Sequence, residues 1–342
     1  MADDLSCSDA VTLLPNVENA AHKAMPSIAL GTYRANGPRL LSAVTHAFSK
    51  AGYRHVDTAA LYDNEDVVAA GIAAAAAAGG PSKFCRTLLL HFFRSNALHL
   101  RSHGPDPHSC RVLCGSLTGG ITGRGDVWIT TKLWNSDHGA FKTRKAIHNS
   151  LKRLNTDYID LYLIHSPGNS GRSPAQIREL RKASWQVMEK MHEEGTLRAI
   201  GVSNYDVKHL EELATYAKYA PAVNQVEFHP YLVQGELLAY CASKGIVVEA
   251  YGSMAAGENG ADPLLKHPTV LGVAERAGKS AAQVLLRWAL QKGLVVLPKS
   301  VTPARIDANA ALFDFALDGE AMAALDALHT GERTYWDNTD VP

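Results

Sequence analysis

An excess of charge of either sign is missing from this sequence: 342 residues carry 34 Lys and Arg against 34 Asp and Glu. There is thus no general basic field to hold nucleic acid, and no acidic surplus of the kind that keeps a chain disordered. No apolar run reaches the length of a membrane helix; the longest, residues 67–78, is mostly alanine. Asp3 and Asp4 stand where a secretory leader carries positive charge, and no compact apolar block follows them. The five cysteines (Cys7, Cys85, Cys110, Cys114, Cys241) are odd in number and form no CxxC, which argues against a disulfide framework and a zinc ribbon. Together these absences point to a soluble cytoplasmic protein with no nucleic-acid partner, no membrane partner and no metal.

What is present is a regular alternation. From residue 125 onward, short apolar runs rich in β-branched residues stand at 127–132, 158–165, 199–203, 223–228, 246–251 and 294–298. Each is apolar on both faces, as a parallel strand covered by helices is. Amphipathic stretches separate them. Between Ser173 and Glu194 the apolar Ile177, Leu180, Val187, Met188 and Met191 fall at helical offsets, with Pro174 at the start and Gly195 at the stop. Ser280 and Gln283 read as a capping box for a helix that ends at Gly293. Adding 54–58 before this series and 311–315 after it gives eight strands, which predicts an α/β fold of the (β/α)8 barrel type in one domain spanning 1–342. The rival, an open doubly wound sheet, lacks its GxGxxG after the first strand.

One segment, residues 81–120, has neither a strand nor a helix period. It holds Cys85, Cys110, Cys114, four histidines (His91, His99, His103, His108) and a single acid, Asp106. His and Cys are plentiful, yet no spacing is that of a zinc site, so an irregular surface insertion is the preferred reading. Its abrupt composition is that of a segment foreign to the fold, such as a retained intron would encode.

Barrel active sites lie at the C-terminal ends of the strands. Asp57 ends one run, with Tyr62 in the loop after it; Lys132 ends the next, and His165 the one after that. A lysine at the end of an apolar strand needs a partner, and Asp57 is the nearest candidate. A cation beside a phenol is expected to lower the Tyr62 pKa and so ready it as a general acid. Taken singly, a strand-end His or Lys is ordinarily structural. Four polar residues at corresponding tips of consecutive strands outweigh that reading.

The text around these residues resembles the aldo-keto reductases, NADPH-dependent carbonyl reductases built on this barrel. The matching stretches are ALGTYR (29–34), GYRHVDTAALYDNE (52–65), ITTKLW (129–134), DLYLIHSP (160–167), IGVSNY (200–205), NQVEFHP (224–230), EAY (249–251) and VVLPKSVTPARIDAN (295–309). The resemblance implies a catalytic tetrad of Asp57, Tyr62, Lys132 and His165, with Tyr62 the proton donor to a small carbonyl substrate. It implies substrate contacts at Tyr33, Trp134 and His165. It implies cofactor contacts at Gly31, Thr32, Tyr33, Asp57, Ser203, Asn204, Gln225, Tyr251, Ser253, Lys299, Ser300, Val301, Arg305 and Asn309. Ser203, Asn204 and Gln225 match the residues that hold the nicotinamide carboxamide, and Tyr251 the aromatic stacked on its face. Lys299 and Arg305 flank a helix start at Thr302–Pro303, where anions rather than cations are favoured. Two basic groups at that place are explained by a phosphate, the 2′-phosphate of NADPH.

This chain departs from the family pattern in four places. Ala308 removes one adenine contact, Gly252–Ser253–Met254 alters the loop after a strand, and Ser166 replaces a Trp and is expected to widen the pocket. The interval from Tyr62 to Lys132 is far longer than the family's, and residues 81–120 account for the excess. The expected function is NADPH-dependent reduction of aldehydes or small ketones by a monomer. The alternatives are an NADPH-binding regulatory subunit, a catalytically impaired family member, or another barrel enzyme such as an isomerase. The last would leave Lys299 and Arg305 without a role.

Overall fold

The computed structural model describes residues 10–11, 25–78, 121–168, 171–257 and 260–342. The insertion at 81–120, with its cysteines and histidines, lies outside them. Strands β1 (Ala10–Val11) and β2 (Met25–Pro26) form an antiparallel pair. The eight strands that follow are β3 (Leu30–Gly31), β4 (His55–Asp57), β5 (Trp128–Leu133), β6 (Ile159–Ile164), β7 (Leu197–Ser203), β8 (Val223–Glu227), β9 (Val247–Tyr251) and β10 (Val295–Val296). All are parallel and each pairs with the next in sequence. Bridges Ile28–Val296 and Gly31–Lys299 join the last to the first, with Gly31 N donating to Pro298 O at 3.1 Å. The barrel is therefore closed. A Cβ on Gly31 would lie 2.9 Å from the Leu297 carbonyl oxygen, so this seam requires glycine.

Strand count matches expectation; strand identity does not. Residues 311–315 are no strand: Gln283 Nε2 donates to Ala311 O at 2.9 Å and Arg287 Nη1 to Leu312 O at 3.1 Å, so side chains take up carbonyls that a ladder would use. The eighth strand is instead the two-residue β3 at the start of the chain. The tips of Asp57, Lys132 and His165 thus belong to the second, third and fourth barrel strands.

Strand side chains alternate with period two, and the alternation sorts the core. Val56, Ile129, Leu133, Ile164, Val202, Val226, Val248 and Val296 face outward into the cluster shared with the helices. Trp128, Leu161, Leu163, Ala199, Val223, Val295 and Leu297 face inward, with Met25 of β2 packed among them. The same parity carries upward to Asp57, Lys132, His165, Ser203, Gln225, Glu249 and Tyr251, so the polar residues occupy the interior positions nearest the strands' C-terminal ends.

The described helices are α1 (Gly37–Ser49), α2 (Glu65–Ala78), α3 (Ala140–Leu154), α4 (Pro174–Glu193), α5 (Val207–Ala214), α6 (Gly235–Lys244), α7 (Pro268–Ala277), α8 (Ala281–Gln291), α9 (Pro303–Ala310) and α10 (Gly319–Asp326). The predicted caps form: Ser173 opens α4 and Ser280 opens α8, each in a reciprocal box with the glutamine three residues on. On α2, a Cβ at Gly71 would lie 2.6 Å from that of Val44, which lets α2 settle directly on α1. Trp288 of α8 stacks on Phe228 just past β8 at 4.9 Å between centroids. No helix among the described residues is long and apolar enough to cross a membrane.

Candidate active site

Lys132 is fully buried, and its ammonium has three acceptors: Asp57 Oδ1 at 2.7 Å, Asp57 Oδ2 at 2.8 Å and Thr58 O at 3.0 Å. That triad satisfies all three N–H groups of a cation with no access to water. Tyr62 comes from a short turn, Ala60–Tyr62, which ends in the left-handed residue Asp63 (φ 50°). The turn lays the Tyr62 ring 5.2 Å from Lys132 Nζ. His165, just past β6, meets the Tyr62 ring edge-on at 5.7 Å. The four polar residues read at the strand tips thus gather around one point.

Their electrostatics differ from the expectation. The Tyr62 phenol is pushed well above its ordinary pKa of 10.0, first by desolvation and then by the charge of Asp57. Burial and Asp57 outweigh Lys132, whose ammonium is already paired with that carboxylate. The Tyr62 phenol is therefore protonated across the neutral range. His165 is held well below 6.5 by burial, with Lys132 adding to the effect, so its imidazole is neutral. Its Nδ1 has no hydrogen-bond partner among the described residues.

Behind this point the amides form an ordered set. Asn204, in a left-handed conformation (φ 62°), donates from Nδ2 to His165 O at 2.9 Å and to Ser203 Oγ at 3.1 Å. Ser203 Oγ donates to Gln225 O at 2.8 Å. Gln225 Nε2 donates to Asp57 Oδ2 at 2.8 Å and to Glu249 Oε2 at 2.7 Å. Tyr251 Oη donates to Asn204 Oδ1 at 2.7 Å. With these donors engaged, the set has acceptors to offer: the second lone pair of Asn204 Oδ1 and the side-chain carbonyl oxygen of Gln225. Such a pair suits the NH₂ end of a primary amide.

A cavity of about 360 Å³ opens beside these groups. Of the residues singled out from sequence, Gly31, Thr32, Tyr33, Asp57, Tyr62, His165, Ser203, Asn204, Gln225, Tyr251, Ser253, Lys299 and Arg305 line it. Lys132 stands behind Asp57. Trp134, Ser300, Val301 and Asn309 lie outside the lining; Ser300 Oγ accepts from Thr302 N at 3.1 Å and so shapes the turn into α9. Lys299 and Arg305 are both exposed, and neither is in an ion pair among the described residues.

The mouth is aromatic. His165 packs between Trp134 at 5.1 Å and Trp336 at 5.4 Å, while Trp336 also meets Trp134 at 5.8 Å and Tyr33 at 6.4 Å. Trp336 and Tyr335 were missed in the sequence; the paired aromatics of RTYWDN, at the end of the chain, were the available signal. Their presence corrects the expectation that Ser166 widens the pocket. Ser166 Oγ donates to Asn338 Oδ1 at 2.9 Å and so holds the tail whose Trp336 covers His165.

Four further anchors fix this tail. Glu227 is fully buried and accepts from Thr334 N and Thr334 Oγ1, each at 2.7 Å, and from Tyr335 N at 3.3 Å. At the far end, His209 Nε2 donates to Val341 O at 2.9 Å and Lys208 Nζ to Thr339 O at 2.6 Å. Burial lowers the His209 pKa to about 4, so the ring is neutral, and Nδ1 accepts from Asp206 N at 3.1 Å. Arg333 adds a 3.6 Å ion pair to Asp206.

A closed barrel with a buried ion pair, a phenol and a neutral imidazole at its C-terminal mouth has the architecture of a barrel enzyme. The model of the Aldo/keto reductase family matches residues 117–330. The chain is 38% identical over 328 residues to the glyoxal reductase of Bacillus subtilis (strain 168), covering 96% of this chain and 95% of the relative. It is 37% identical to a morphine 6-dehydrogenase of Pseudomonas putida, covering 93% and 92%. Among solved structures, an aldo-keto reductase from a deep-sea metagenome library superposes with a TM-score of 0.72 at 33% identity, over 94% of this chain and 97% of that one. The protein belongs to the aldo-keto reductase family. It is an NAD(P)-dependent oxidoreductase acting on carbonyl groups.

Proposed function

We propose that this protein reduces aldehydes or small ketones to alcohols with NADPH, and that Tyr62 is the proton donor. The observation that carries the reading is the protonated Tyr62 phenol beside the Lys132–Asp57 pair, in a cavity whose lining also includes two exposed cations. A reduced nicotinamide, when bound, supplies the hydride. Gln225 Oε1 and Asn204 Oδ1 would accept from its carboxamide, Tyr251 would lie along its ring, and Lys299 with Arg305 would take the 2′-phosphate.

The geometry above supports a role for each of these residues. His165, neutral and enclosed by Trp134 and Trp336, presents its ring to the carbonyl oxygen without adding charge. Tyr62 transfers its proton to that oxygen. The transfer is downhill even from a raised phenol pKa, because the alkoxide it quenches is the stronger base. Lys132 then offsets the phenolate that is left. Tyr33, Trp134 and Trp336 exclude water from the substrate end.

Two results are expected from assays on a panel of small aldehydes. Replacing Lys299 or Arg305 by Met should raise KM for NADPH about tenfold each, one charge-assisted contact apiece, and leave NADH within about twofold. Equal loss with both cofactors contradicts the phosphate assignment. The pH profile of kcat in reduction should show no inflection near 6.5, since His165 carries no proton to lose there. A histidine step at that pH would contradict a neutral His165.

We also propose that residues 1–342 form one barrel domain interrupted at 81–120. Support comes from the strands on either side of the interruption, which pair directly: His55 of β4 is in register with Trp128 of β5, and Trp128 N donates to Arg54 O at 2.7 Å.

A further inference from the structure

The reaction uses Asp57, Tyr62, Lys132 and His165, yet a fifth titratable group lies fully buried inside the barrel. Glu249 sits on β9 directly across from Gln225 of β8, with no solvent access. Its Oε2 accepts from Gln225 Nε2 at 2.7 Å, and the same nitrogen donates to Asp57 Oδ2 at 2.8 Å. Its Oε1 has no hydrogen-bond partner among the described residues and lies 3.9 Å from His55 Nε2. Burying a carboxyl among inward side chains is costly, and an aliphatic residue such as its neighbour Val247 would fill the strand position more simply. The position therefore asks for a role.

A primary amide has two N–H donors on one end and a carbonyl on the other. Asp57, ionised against Lys132, draws the nitrogen end of Gln225 toward itself. One acceptor alone leaves the second N–H free and the amide able to swing. With a second acceptor at Glu249, both N–H groups are engaged, and the carbonyl oxygen becomes the end that faces the cavity. We propose that Glu249 is a positioning residue: together with Asp57 it fixes the Gln225 amide so that its oxygen, and not its nitrogen, meets the carboxamide of the bound cofactor.

This inference rests on the nicotinamide reading of the cavity. It also fits the charge balance, since burial, reinforced by Asp57, pushes the Glu249 carboxyl up to about 8. At neutral pH the carboxyl is then largely uncharged, leaving one anion, Asp57, for the one cation, Lys132, while Oε2 remains an acceptor.

The test compares binding of NADPH with that of its reduced analogue bearing an acetyl group in place of the carboxamide, which lacks the N–H that the Gln225 oxygen would accept from. Glu249→Met keeps the length of the side chain without the acceptor, and Glu249→Val is a smaller, strand-compatible alternative. In either, the preference for NADPH over the analogue should narrow about tenfold relative to wild type, the loss of one oriented hydrogen bond. Glu249→Gln, which keeps an acceptor in place, should retain the wild-type preference. A merely structural carboxyl would weaken both cofactors alike. An unchanged ratio in the Met or Val variant overturns the role of Glu249 while leaving the cofactor reading intact. If the wild-type protein bound neither cofactor, the nicotinamide reading would fall and this inference with it.

Discussion

Replacing Tyr62 with Phe should lower kcat for carbonyl reduction by roughly 10³-fold, within the range that a positioned general acid contributes, while NADPH still binds within about twofold. The substitution removes one oxygen and leaves the ring, so contacts to Tyr33 at 5.1 Å and His165 at 5.7 Å persist. The surrounding groups cannot replace the lost proton. Lys132 has all three N–H groups engaged below the ring, and His165 is neutral, with only a weakly acidic ring N–H to give. Cofactor titration beside steady-state turnover separates the two effects. A Tyr62→Phe enzyme that kept a third or more of wild-type turnover would remove Tyr62 from the chemistry. A wild-type protein that bound NADPH but turned over no carbonyl on the panel would favour the regulatory-subunit reading.

The sequence was informative where a polar residue closes an apolar strand. Asp57, Lys132 and His165 each end such a run, and the period-two alternation puts them all on the inward face; their convergence was readable from spacing alone. β3 was not. Two residues, Leu30–Gly31, carry no period, whereas 311–315 looks like a strand because Leu312, Phe313 and Phe315 are apolar. The carbonyls there belong to Gln283 and Arg287, a fact of tertiary contact. The direction of the Tyr62 pKa was also out of reach. Proximity to a lysine is visible in the motif, but the burial of the ring and the charge of Asp57, which together outweigh the cation and raise the phenol, depend on tertiary structure. Trp336 failed for the same reason. Nothing local in RTYWDN says that Glu227, more than 100 positions earlier, holds its backbone and carries it over His165. Ser166 looked like an opening only because its partner Asn338 was unknown.

The second large effect concerns Lys132, whose removal should damage two properties at once. Lys132→Met fills the same volume with an apolar chain, and Asp57 is left buried with Gln225 Nε2 as its remaining side-chain donor. Breaking a buried pair in this way costs about 3–5 kcal/mol of stability, mostly from the carboxylate left uncompensated, readable as a fall in the denaturant midpoint. The effect on turnover has a different origin. Without the ammonium, the phenolate formed at Tyr62 faces Asp57 with no cation near it, and kcat should fall by about 10²–10³. The double variant Asp57→Asn with Lys132→Met separates the two. It removes both charges, so much of the lost stability should return, because a neutral amide in place of the carboxylate no longer needs a counter-ion. Turnover should stay low, since the cation that steadies the phenolate is still missing. Recovery of both properties together would make the ion pair a structural element only. Recovery of stability alone places Lys132 in the proton-transfer step, a role that the 5.2 Å approach of its Nζ to the Tyr62 ring supports.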